Sequence, residues 1–111
     1  MNINELTLGQ IKEIRSLVGN ASSELEQPFI IGKAYFIRTV TMHLIGIVDW
    51  VGEKELKLSQ ASWIADSGRF HDAIKSGKLN EVEPFITTVI VGRASIIDAT
   101  EWAHKIPTEQ K

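Results

Sequence analysis

The densest apolar patterning lies between Lys33 and Ser59. β-Branched and aromatic residues crowd Lys33 to Val51, Gly52 opens a short break, and a second alternating run follows to Ser59. Such residues fit a pleated, half-buried surface, so the stretch predicts two or three antiparallel strands in a meander. By the two-residue period, Phe36, Arg38, Val40, Met42 and Leu44 share one face, and Tyr35, Ile37, Thr39, Thr41 and His43 share the other. Both faces carry apolar groups, which predicts a strand covered from both sides. Arg38 stands out because its neighbours on the same face are the more apolar set.

Outside this run the period changes. Thr7-Leu8-Gly9-Gln10 has the spacing of a capping box, with Leu6 and Ile11 placed to staple it. Leu8, Ile11, Ile14 and Val18 then form a narrow stripe that Gly19 ends, so a helix is predicted over about 8–18. No second helix follows within a few residues, so it reads as a helix packed on the sheet or on a partner subunit, not half of a DNA-binding pair. Asn20 to Pro28 is polar and aperiodic, hence a linker. Gln60 to Asp66 is apolar enough to be buried. Ser67 suits the N-cap of a second helix at about 68–76, with Phe70, Ala73 and Ile74 inward, Lys75 in the last turn and Gly77 as the stop. Leu79 to Pro84 reads as a connection. Phe85 to Val91 and Ala94 to Trp102 read as two more strands parted by Gly92-Arg93, and His104 to Lys111 as a loose polar tail.

The fold class predicted is α+β: an antiparallel meander or partly closed barrel with an N-terminal helix and one short helix inserted between strands. Its 111 residues make one domain, with helix and linker in 1–32, a β-rich core in 33–102 and the tail in 103–111. A formal net charge of −2 argues against binding nucleic acid by phosphate neutralisation. The chain holds no cysteine, which removes disulfides, thiolate catalysis and zinc–cysteine sites. No apolar run approaches the roughly 20 residues that span a bilayer. The first residues, Met1 to Glu5, lack the basic and apolar regions of a signal peptide, so the expected address is the cytosol.

Catalytic signatures are sparse. The histidines at 43, 71 and 104 form no His-x-His or His-x-x-x-His pair, so no metal site is expected. Neither a Gly-x-Ser-x-Gly elbow, a Walker loop nor a dinucleotide-binding glycine fingerprint is present. The expectation is a protein that is not an enzyme and needs no cofactor. The four arginines are more suggestive. Arg15 reads as a solvated residue of the first helix, Arg38 lies in an apolar strand, Arg69 begins the second helix beside Phe70, and Arg93 sits in a strand turn. Guanidinium groups fork onto phosphates and stack on rings, and Ser67-Gly68-Arg69 with Trp63 and Phe70 near would suit a phosphate plus a stacked base. Each has a plain structural alternative: Arg38 paired to a carboxylate, Arg69 solvated, Trp63 in the core.

The run Ile37 to Gly46, followed by Glu55 to Trp63, resembles the strand–strand–helix core of the Thoeris anti-defence sponge proteins of phages, with Val89 to Asp98 as the counterpart of their late β segment. The resemblance covers about residues 33–100 in order and spacing. It implies a homo-oligomer that binds a cyclic nucleotide immune signal, a cyclic ADP-ribose isomer or cyclic oligonucleotide, and sequesters it without cleavage. Arg38 and Trp63 carry over. Where the family has Asn-Ala-Arg-Arg and several aromatics, this chain has Gln60 to Asp66, so Arg69 and Arg93 are left to supply the phosphate contacts. The expected ligand-binding set is Arg38, His43, Trp63, Arg69, Phe70 and Arg93. A structural or interaction module of a phage particle or replication complex, with no small ligand, is the alternative.

Overall fold

A computed structural model describes residues 27–111; the helix expected at 8–18 lies outside the described residues. In chain order the elements are β1 (Ala34–Thr39), β2 (His43–Val51), β3 (Glu55–Asp66), α1 (Phe70–Ser76), β4 (Glu81–Pro84), β5 (Val89–Gly92), a 3-10 turn (Arg93–Ser95) and β6 (Ile96–Glu101). They form one antiparallel sheet in the order β4-β3-β2-β1-β6, with β5 also paired to β3. The α+β meander holds, with its one described α-helix between β3 and β4.

Two-residue alternation fails at the first hairpin. The Thr39 hydroxyl donates to the Met42 carbonyl at 2.8 Å and accepts from the Met42 N–H at 3.0 Å, which closes a tight turn over Val40-Thr41. Phe36 and Leu44 therefore lie on opposite faces, not on one. No Gly or Asn announces this turn; a side-chain hydroxyl holds it instead.

The long strand β3 carries the curvature. Between the pairs Ile45–Ser62 and Ile47–Ser59 it takes one residue more than β2, and Gln60 there adopts a left-handed backbone with φ 51°. A bulge of this kind bends the strand and sharpens its twist. Beyond it, the N-terminal half of β3 pairs with β5 while the C-terminal half pairs with β4. The 3-10 turn, three residues long, then carries the chain from β5 at one side of the sheet to β6 at the other. So short a connection brings those edges close, although no ladder joins β5 to β6 among the described residues. Among the described residues the sheet is curled but open.

Each face has its own core. Inside the curl lie Tyr35, Ile37, Leu44, Val48, Leu56, Leu58, Ala61 and Val91, with Phe29 and Ile96 against them. On the outer face Phe36, Ile45, Ile64 and Val82 are covered by Ala73 and Ile74 of α1, by Leu79, and by Trp102 and Ile106. The prediction of a strand covered on both sides holds for this reason.

Several boundaries differ from expectation. Gln60 to Asp66 continues β3, and Leu79 to Pro84 contains β4, because Ser62, Trp63 and Ile64 find partners in Pro84, Glu83 and Val82. Phe85 to Thr88 is not a strand: it passes the interruption at Gln60, where the ladder partner is lost, and only the Phe85 N–H reaches β3, at the Ala61 carbonyl. Helix α1 starts at Phe70 with Arg69 as N-cap, not Ser67, because the Asp66 carboxylate accepts the Gly68 N–H at 2.8 Å and forms a turn first. Gly77 does stop it, at φ 78° with its N–H on the Ala73 carbonyl.

The residues from His104 onward, expected to be loose, are tied down. Lys111 and Val82 exchange backbone hydrogen bonds, the Ser62 hydroxyl donates to the Pro107 carbonyl at 3.0 Å, and the Trp102 indole N–H donates to the Lys105 carbonyl at 3.1 Å. The apolar contacts of Trp102 and Ile106 repay the ordering that the polar composition of this segment conceals.

Candidate functional site

Three of the expected ligand residues meet at one corner of the outer face. In the sheet Asp98, Arg38 and His43 stand side by side on β6, β1 and β2. The Arg38 guanidinium forks onto Asp98, Nε to Oδ1 at 2.8 Å and Nη2 to Oδ2 at 2.5 Å. Its face lies against the Phe70 ring, 4.6 Å from the centroid. Phe70 packs edge-on against Phe36 at 5.7 Å, and Phe36 lies 5.5 Å from the His43 ring. Phe70, at the first position of α1, thus closes the corner from above while remaining partly exposed.

The electrostatics follow from the fork. The hydrogen bond from Arg38, aided by its charge and opposed by desolvation, holds the Asp98 carboxyl below the usual carboxylate range; the His43 charge adds to the same shift. The same hydrogen bond raises Arg38. Both side chains remain substantially exposed, so solvent screens the pair. A guanidinium has five N–H donors, and Nη1 is outside the fork. The corner therefore offers an oriented, ring-backed donor beside an imidazole.

The other expected residues are not gathered there. Arg69 is exposed next to Phe70 in the chain. Arg93 serves a different end of the molecule: its Nη1 donates to the Gly52 carbonyl at 2.8 Å and its guanidinium lies 5.9 Å from the Phe29 ring, pinning the β2–β3 turn to the 3-10 turn. Trp63 is exposed on the sheet face opposite Ile64 and hence opposite Phe36 and Phe70. Within one chain, Trp63 and Phe70 cannot flank the same base.

Sequence reasoning missed two sets of residues. Asp98 was only one of many possible carboxylate partners for Arg38, because the β1–β6 register that pairs them shifts immediately afterwards, between Arg38 and Thr39. Met42, Glu83, Pro84 and Phe85 gather around Trp63 and line a hollow of about 330 Å³. The pairing of Trp63 with Glu83 through β4, which the sequence reads as a connection, creates it.

Among the described residues no three His, Asp or Glu side chains are grouped to hold a metal ion, and no helix is long and apolar enough to cross a membrane. Compared with protein-family models, with curated proteins and with solved structures, the chain matches none.

Proposed function

We propose that the protein acts by binding and not by turnover, and that the Arg38–His43–Phe70 corner receives an anionic ligand of nucleotide type. The observation supporting this is the held guanidinium: Asp98 fixes its edge and Phe70 its face, so a phosphate oxygen meets a donor already oriented. Following the sponge resemblance, the ligand is a cyclic nucleotide immune signal captured intact, and the role is phage anti-defence in the host cytosol.

The same geometry sets a requirement. Asp98 offsets the charge of Arg38, so the corner of a single chain binds an anion weakly. Tight capture on this reading needs cations from a second copy, with exposed Arg69 beside Phe70 the nearest in the chain. The ligand then belongs at a junction between copies.

The test is retention. The purified protein is incubated with a panel of cyclic nucleotides, desalted and heat-denatured, and the released molecules are identified by mass spectrometry. Intact nucleotide, retained by the native chain and lost by about tenfold or more in a folded Arg38→Ala variant, is the expected result. Converted nucleotide would establish an enzyme. Unchanged retention in Arg38→Ala would remove this corner as the site.

A second reading, an interaction module with no small ligand, would draw on exposed apolar side chains such as Ile86, Ile90 and Ile97, which are 99%, 62% and 66% exposed. Absence of any retained nucleotide, with self-association that substitutions at these positions abolish, would favour it.

A further inference from the structure

On the sheet face opposite the Arg38 corner, Trp63 and Glu83 stand directly across from one another on β3 and β4. Their side chains consequently rise on the same face about 5 Å apart at Cβ. Phe85, two residues beyond Glu83, is fixed by its N–H on the Ala61 carbonyl at 2.9 Å. Met42 reaches in from the first hairpin, and Pro84 completes the wall. Trp63, Phe85 and Met42 are each about two-fifths exposed, at 42%, 41% and 41%. The result is a hollow of about 330 Å³ whose walls are aromatic, thioether and proline and whose only ionisable group among the described residues is a carboxylate. That size is at the small end of ligand pockets, which run from about 300 Å³ upward.

We infer that this hollow binds a small organic cation with an alkylated ammonium head group. Ring faces carry negative potential and attract a cation that is weakly hydrated, and a quaternary ammonium also fills apolar space. Glu83 makes the choice of sign. Its side chain meets Gln110 Nε2 at 3.3 Å from each oxygen, a neutral contact that leaves the charge in place. The ion pairs among the described residues are Lys33–Glu101 and Arg38–Asp98, neither of which involves it. A neutral guest would strip water from this carboxylate without replacing the lost interaction, and an anion would meet repulsion as well. A cation satisfies rings and carboxylate together. The walls stand on paired strands or on hydrogen-bonded neighbours of them, so the site is formed before the guest arrives. This inference does not depend on the nucleotide reading, and its residues lie on the other face.

The probe is choline, set against its uncharged analogue in which carbon replaces the quaternary nitrogen. The Trp63 indole N–H resonance, identified by its loss in Trp63→Phe, is followed by NMR on the whole chain. Choline should move it saturably in the millimolar range, and the uncharged analogue should bind about tenfold more weakly or worse. Glu83→Gln, which keeps shape and the Gln110 contact, should bring the two guests to within about twofold of each other. Equal binding of both guests by the native chain would overturn the inference, as would the lack of a saturable shift at Trp63. A trimethyllysine-bearing peptide binding more than about tenfold tighter than choline would overturn the small-molecule assignment.

Discussion

Gly46 lies directly beneath Ala61, so that a Cβ on Gly46 would come within 2.9 Å of the Ala61 Cβ and 3.1 Å of the Leu58 Cβ. Gly46 sits at the register shift opposite Gln60, between the paired residues Ile45 and Ile47. A glycine inside a strand is ordinarily a weakness that alanine would repair. Here the sign reverses: Gly46→Ala should destabilise the domain by about 1–3 kcal/mol through overpacking. A lowered urea midpoint at unchanged slope would confirm it, and a raised midpoint would refute it.

The end of α1 offers a second steric test. A Cβ on Gly77 would lie 2.8 Å from both Cβ and Cγ of His104, while the His104 Nε2–H donates to the Ile74 carbonyl at 2.7 Å and caps the helix. Gly77→Ala is expected to lose about 1–2 kcal/mol to the left-handed backbone alone, with the clash added. His104→Ala takes away the Cγ and Nδ1 contacts and keeps the Cβ one, so Gly77→Ala with His104→Ala should be less destabilising than the sum of the single changes, with part of the clash still in place. Strict additivity in denaturation would show that His104 moves aside freely.

The Arg38–Asp98 fork makes a pH prediction. Asp98 titrates lower when folded than when unfolded, so its contribution is fully present above the ordinary carboxylate pKa near 3.9 and fades as pH falls through the lower folded value. Asp98→Asn should therefore cost more at pH 7 than at pH 2, with the gap small because the pair is exposed, and smaller still in high salt. Denaturation midpoints of both chains across that range supply the check. A difference independent of pH would assign the effect of the substitution to something other than the fork.

Removal of residues 107–111 should be felt at the outer face. It deprives the fully buried Ser62 hydroxyl of its acceptor and unpairs Val82 from Lys111. An orphaned buried donor costs about 1–3 kcal/mol. Hydrogen exchange at the Val82 amide should accelerate beyond that of amides paired between β1 and β2. Equal acceleration throughout would mean that the segment supports the whole domain and not this edge.

The meander, the stop at Gly77 and the coverage of β1 on both faces were legible because they depend on local periodicity and on the conformational freedom of single residues. The six-residue set around Arg38 was only partly legible. Phe70 reaches Arg38 because α1 folds back over the outer face, and His43 and Asp98 reach it through strand register. Trp63 and Arg93 are carried away by sheet face and by the 3-10 turn. What the linear sequence determined on its own is therefore where backbone extends, where it turns and which stretches are apolar, since neighbouring residues settle those matters. Which carboxylate faces which cation, and which rings share a hollow, was decided only in three dimensions: one extra residue at Gln60 and one at Ile97 shift the pairing, and each shift reassigns every partner beyond it.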